Sequence, residues 1–444
     1  MAAPPTRILD LWSGVGIVAA NMIGAGVFIS AGFMAQDMGP ATILLAWVVG
    51  TVLALAGSRA YATVARLVPR SGGEYRYLSE LWHPSLGYVA GWASLLLGFS
   101  APVAVDALAA GAFTGTLVAG VDAKAVAALL IVALTVLHAT GLQLSKWTQN
   151  VLVSVKAVLL LGFVAVGLLL GSNHWPAWTP PHASAGFPLA AFMASLFFIA
   201  FAFSGWNAAA YAAEEFRDPG RDVPRAMLIG CSLVAVLYLL VNWVFVANLT
   251  PERAAAVFEY ETSRVTLGHL VMRDIIGAAG AEVMSVFVII AFISAMSAMT
   301  FVGPRVYAAM AADGFLPRAL VGRAGRPPAW SAVLQAALAL LILYVQELSQ
   351  AMQNMGAILT LFAALTALSL FGLGRRRPDL PAAPAASLLA AGLYGVSAAW
   401  MLYFGFQGKT HLLAWVGAIA LAALVAYAVT PSHNGSEPRR HGER

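Results

Sequence analysis

Ile23-Gly24-Ala25-Gly26-Val27-Phe28 lies in the middle of an apolar stretch that begins near Leu11. A stretch of that length reads as a membrane helix. Each interior glycine weakens a helix by ~1 kcal/mol, so two glycines one residue apart predict a local break. A break at mid-membrane depth frees backbone N–H groups that hydrocarbon cannot satisfy, and it is tolerated only where it lines a cavity. A substrate carboxylate is a fitting acceptor, helped by the positive end of the half-helix that follows. A second candidate break is Phe201-Ala202-Phe203-Ser204-Gly205-Trp206-Asn207. These two stretches fall in the first and sixth apolar segments, and interruptions at matching places in two halves mark a transporter's binding site. Glycines that serve only close helix packing are the alternative.

Outward from these stretches, the whole chain is apolar. Of 444 residues, 60% are hydrophobic and 10% are charged. A soluble protein carries about 25% charged residues, so a soluble fold and a disordered chain are both excluded. The apolar runs are long and recur from end to end, which excludes a single anchor and the alternating short strands of a barrel. About twelve helices of ~20 residues account for the hydrophobic content. They are expected near 12–35, 40–66, 84–111, 125–142, 148–171, 188–213, 226–248, 279–311, 331–347, 354–373, 387–406 and 411–430. The stretch near Leu11 is too long for a signal core and lacks a cleavage site. The tail from 431 to 444 is polar and is expected to be disordered.

The basic residues set the orientation. With the N-terminus inside, 17 of the 25 lysines and arginines fall on the cytoplasmic side, 5 outside and 3 within helices. That asymmetry predicts cytoplasmic N- and C-termini in a cell (inner) membrane. It also accounts for the net charge of +5 without a nucleic acid partner. The single cysteine, Cys231, allows no disulfide framework. There is no ATP-binding P-loop, so transport would draw on a gradient or on exchange. No histidine, cysteine or acid spacing suggests a metal, and His269 and Asp274 in an outer loop have no partner at ligand spacing. No cofactor is called for.

At this point the residues resemble a known family. Gly24-Ala25-Gly26-Val27-Phe28 is similar to the first-helix signature of the amino acid–polyamine–organocation transporters. Pro69-Arg70-Ser71-Gly72-Gly73-Glu74-Tyr75 is similar to their first cytoplasmic loop. Phe203-Ser204-Gly205-Trp206-Asn207, then Glu214-Glu215, Pro219, Arg221 and Pro224, resembles the sixth helix and its exit. Arg305-Val306-Tyr307 with Asp313-Gly314-Phe315-Leu316-Pro317 resembles the end of the eighth. The Gly205-Trp206-Asn207 triplet leans toward the L-type amino acid transporter branch and its bacterial relatives.

The resemblance implies an all-α membrane protein with a five-plus-five inverted repeat, broken helices 1 and 6, two further helices, and alternating access. The chain would divide into a cytoplasmic N-terminus (1–11), a transport core (12–373; helices 1–5 and 6–10), helices 11–12 (374–430) and a cytoplasmic tail (431–444). It implies that N–H groups around Gly24, Ala25 and Gly26 hold the substrate carboxylate. Carbonyls near Ile23, Phe201 and Ser204 would receive its ammonium. Phe203, Gly205, Asn207 and Met299 would shape the pocket or gate. Human L-type relatives join a heavy chain through a cysteine between the third and fourth helices. Residues 112–124 here contain none, so no disulfide-linked heavy chain is expected, and a monomer is the default.

Charges within apolar segments are costly, ~2.5–3.5 kcal/mol at the helix centre on insertion scales. Lys156 in the fifth helix is one. The resemblance implies that its ammonium replaces the ion of sodium-coupled relatives and contacts carbonyls of the broken first helix. A lysine that snorkels to the cytoplasmic face is the alternative. Asp106 in the third helix either faces the pocket and favours cationic side chains, or caps a neighbouring helix. Glu214 and Glu215 are expected at the cytoplasmic mouth, paired with Arg217, Arg221 or Arg225, as a solvated cluster or a gate latch.

Small Ala25 and Ser204 among phenylalanines point to neutral, small-to-medium amino acids. The expected function is a sodium-independent secondary transporter working by exchange or proton coupling. A cationic amino acid or polyamine carrier of the same fold, a transport-fold receptor and a membrane-embedded enzyme are the alternatives. No convergent acid–base set favours the enzyme.

Overall fold

The computed structural model describes residues 9–140, 142–175, 178–181, 186–322 and 328–406, with positions 417 and 421. The expected twelfth helix (411–430) apart from those two positions, the tail, Arg7, Lys409, Arg323 and Arg326 lie outside the described residues. The described chain is helical, apart from turns, loops and an isolated parallel bridge between Leu9 and Phe216.

The first apolar stretch is two helices, α1 (Leu11–Met22) and α2 (Ala25–Met34). Asp10 caps α1, accepting from the Ser13 N–H and Oγ at 2.8 Å each. These bonds hold its carboxyl below the usual carboxylate value. α3 (Pro40–Leu67) starts on a proline, whose missing N–H costs nothing in a first turn. A short helix, α4 (Glu74–Leu81), buries Tyr75, Tyr77, Leu78 and Leu81. It is too short and polar to register as a span, and the sequence expectation missed it.

α5 (Pro84–Ala93) passes through a π-helical stretch, Ser94–Ser100, into α6 (Ala101–Leu117). Pro102 explains the widening: it removes an N–H and crowds the carbonyl four residues earlier. The Ala101 N–H bonds instead to the Leu96 carbonyl. Within this stretch the Leu95 carbonyl accepts from Ser100 Oγ at 2.7 Å and Tyr307 Oη at 3.1 Å.

α7 (Ala123–Thr140) and α8 (Leu142–Leu170) follow, then α9 (Leu189–Ala202), a non-helical link and the short α10 (Ala208–Tyr211). α11 is Pro219–Ala247. The connection after α11 folds into α12 (Pro251–Glu259) and α13 (Glu261–Val265). The next helix is two segments in line, and the one after its kink begins beside the expected 279. α14 (Leu267–Ala312) carries a kink at Ile276–Gly277, where Gly277 has φ +77°. His269 therefore sits on a helix rather than in a loop. α15 (Ala329–Val345), α16 (Leu348–Leu368), α17 (Leu373–Arg376) and α18 (Ala385–Phe406) complete the described part.

Seven of these helical spans are long and apolar enough to cross a membrane, and four shorter apolar helices accompany them. α3 packs along α11 and α6 along α14, with α1 and α2 between them. The 24-residue stretch Leu11–Met34 has 89% of its most apolar window buried, against 33% for Ala385–Gly405. The broken helix is therefore at the centre of the bundle, and α18 is at its edge.

Candidate functional site

Both predicted breaks are present, and they touch. Gly24 leaves the helical region, and Gly205 takes φ +104°, a conformation that side chains resist. A Cβ on Gly205 would lie 2.9 Å from the Asn21 backbone, and one on Gly26 would lie 2.4 Å from Ala202 Cα. Glycine lets the end of α1 meet the α9 break, and the start of α2 meet the end of α9.

The polar groups freed at the first break find partners. Lys156 Nζ donates to the Ala20 carbonyl at 3.0 Å and the Ile23 carbonyl at 2.7 Å. The residue is 1% exposed, so it reaches the break rather than snorkelling. Tyr238 Oη, from α11, lies 2.6 Å from the Met22 carbonyl and 3.0 Å from the Ala202 carbonyl. The Ala25 N–H donates to Asp106 Oδ1 at 2.7 Å. Of the two readings of Asp106, the structure takes the cap: its carboxylate sits at the N-terminus of α2, where the macrodipole favours an anion.

A cavity with about 900 Å³ of space, part of it open to solvent, lies beside the second break. Phe203, Ser204, Gly205, Asn207 and Met299 line it. Ile23, Gly24, Ala25, Gly26 and Phe201 are buried behind it and are not on its wall. Asp106 and Lys156 are also off the wall.

The structure adds Asn21, Glu74, Phe99, Trp206, Tyr211, Thr360 and Tyr394 to the wall. Glu74 is 5% exposed. Its carboxylate accepts from Asn207 Nδ2 and Tyr211 Oη, each at 2.5 Å, and among the described residues no cation pairs with it. Glu74 belongs to the loop motif quoted above, so its presence was legible and its place was not. Phe99 reaches the cavity from the π-helical stretch, for which Pro102 was the only sequence signal.

The acidic pair on the far side of α10 differs from expectation. Glu215 pairs with Arg305 of α14 at 3.4 Å, rather than with Arg217, Arg221 or Arg225. The Glu214 N–H donates to Ser71 Oγ at 3.0 Å. Arg305 also donates to the Phe301 carbonyl and stacks on that ring, 3.6 Å from its centroid.

Residues 9–439 match the family model described as amino acid permease. The b(0,+)-type amino acid transporter 1 of Mus musculus is 26% identical over 388 residues, which is 84% of this chain and 77% of that protein. The large neutral amino acids transporter small subunit 2 of Homo sapiens is 25% identical over 438 residues, which is 94% of this chain and 79% of that protein.

Proposed function

We propose, from the premise that this chain belongs to the amino acid permease family, that it is a sodium-independent secondary transporter of neutral amino acids. It is an integral, multi-pass membrane protein. Its core is a five-plus-five inverted repeat that works by alternating access, by exchange or by proton coupling. The cargo's carboxylate is received at the start of α2 and its ammonium at the carbonyls around Phe201 and Ser204. The side chain occupies the space between Phe203, Asn207 and Met299. Apolar walls discriminate one methylene by only ~1–3 kcal/mol, so the range of cargo is broad. The named relatives are transporters, which weighs against a membrane-embedded enzyme.

The observation that carries this reading is Lys156. A fully buried ammonium bonded to two carbonyls of the broken helix does there what a bound cation would do, which supports independence from sodium. The test is uptake of radiolabelled amino acids into proteoliposomes, with and without sodium. Equal uptake in both media, and loss of at least 90% of it in Lys156→Met, are expected. A strict sodium requirement would refute the reading. Preloading the vesicles with unlabelled amino acid separates the two modes. Strong acceleration without an effect of a proton gradient marks exchange.

One observation favours a second reading. Glu74, buried on the cavity wall with neutral partners only, suits a cationic amino acid or an amine. Inhibition of uptake by L-arginine, lost in Glu74→Gln, would select that reading over the neutral one.

A further inference from the structure

Asp106 occupies the seat that the cargo's carboxylate needs. Its Oδ1 holds the Ala25 N–H at 2.7 Å across 81 positions of sequence. Among the described residues its buried Oδ2 has no hydrogen-bond partner, and the residue is 1% exposed. The seat is tight. A Cβ on Gly24 would lie 3.2 Å from both Asp106 oxygens, and Gly26 is closed by Ala202. Two charged carboxylates cannot share one small, dry site.

From this geometry, and resting on the reading above that an amino acid carboxylate is received at the first break, we infer that cargo and Asp106 compete for the Ala25 N–H, each amino acid bound bringing one proton onto Asp106.

The groups around Asp106 leave few alternatives. Lys156 on α8 and Tyr238 on α11 are the titratable side chains whose charges act with it. The Lys156 ammonium is already committed to the Ala20 and Ile23 carbonyls. α2 offers backbone, and α14 offers the Ala295 methyl beside Gly24. Toward α7 and α15, the α6 neighbours Val103 and Ala107 join Ile131, Leu134 and Leu343 in an apolar cluster. On α13, the Arg264 guanidinium is turned to the Val257 and Phe258 carbonyls. The π-helical stretch and α16 hold no acidic or basic side chain. A displaced, ionised Asp106 would thus enter apolar surroundings, and protonation removes that cost.

The balance is simple. A proton from water on the side the site faces becomes the carboxylic O–H of Asp106, and it returns to water on the other side. No bond between heavy atoms changes. With Lys156 charged throughout, the loaded site carries one positive charge more than the empty one.

The test uses the full chain in nanodiscs, with L-alanine, L-leucine and L-phenylalanine as probes. Ethylamine, isoamylamine and phenethylamine, which lack the carboxylate, serve beside them. For the wild type, amino acid affinity is expected to fall about tenfold per pH unit above the pH at which Asp106 loses its proton, while amine affinity does not fall with it. In Asp106→Asn the amino acid profile becomes flat. A wild-type profile without this slope, or an unchanged slope in Asp106→Asn, overturns the inference while leaving amino acid binding intact. Failure of all three amino acids to bind either protein overturns the proposed function together with the inference. A second measurement needs no variant: L-leucine uptake into vesicles loaded with a pH dye should acidify the lumen by one proton per molecule. Uptake without acidification overturns the inference.

Discussion

Tyr238 is fully buried on α11, between Trp47 and Phe203, with ring centroids 5.8 Å and 5.0 Å away. Its hydroxyl lies within hydrogen-bond reach of two carbonyls, Met22 at the end of α1 and Ala202 at the end of α9. One hydroxyl has one proton, so it serves one carbonyl at a time and can follow whichever helix end moves. Tyr238→Phe leaves the Met22 carbonyl to the Gly24 N–H at 2.9 Å and takes this donor from the buried Ala202 carbonyl. An unsatisfied buried acceptor costs ~1–3 kcal/mol. A fall in melting temperature in detergent, with transport slowed several-fold, is the expected outcome, and an unchanged melting curve would contradict it. Nothing in the sequence marks this tyrosine, because its partners are 216 and 36 positions away. Lys156 was different: a charge in an apolar run announces itself by its cost, before its partners are known.

At the scale of the element, the breaks were legible and their consequences were not. Gly205 has φ +104° and lies against Asn21. Gly205→Ala therefore adds backbone strain to a collision with a neighbouring helix. Overpacking alone costs ~1–3 kcal/mol. Uptake should fall at least tenfold, while Gly115→Ala, on the exposed face of α6 with nothing within 4 Å of the added carbon, should leave uptake within twofold of wild type. The short α4 escaped a reading tuned to spans of about 20 residues, yet it delivers Glu74 to the cavity and Tyr75 to Asp313, where the hydroxyl lies 2.7 Å from Oδ2. The π-helical stretch likewise follows from Pro102 only once the neighbouring helices hold the chain continuous on both sides of it.

At the scale of the molecule, the ion pairs test the sorting of charges by side. Arg76 meets Asp313 at 2.8 Å, Arg305 meets Glu215 and Arg377 meets Glu80 at 3.4 Å each, all from segments assigned to the inner end. Arg253 of α12 meets Asp274 of α14 at 3.0 Å, both from segments assigned to the outer end. Such partly exposed pairs contribute about 0–1 kcal/mol each, so they report which segments share an end more than they hold it. Which end faces the cytoplasm is open to direct labelling. Cys231 is buried, so the wild type should resist a membrane-impermeant maleimide. In a Cys231→Ala background, Arg375→Cys should label only in inside-out vesicles, and Thr262→Cys only in right-side-out ones. The opposite pattern would reverse the orientation expected from the basic residues.

The sequence by itself determined that the chain is a bundle of membrane helices and that the first and sixth segments are interrupted. Both follow from local physics: apolar length matched to a bilayer, and glycines placed where a helix is weakest. Tertiary structure alone decided what fills the interruptions. Asp106, Lys156 and Tyr238 reach the first break from three different helices, and Glu74 reaches the cavity from a fourth. A hydrogen bond across 81, 133 or 216 positions leaves no trace in local pattern. It exists only when the packed helices bring its two ends within 3 Å.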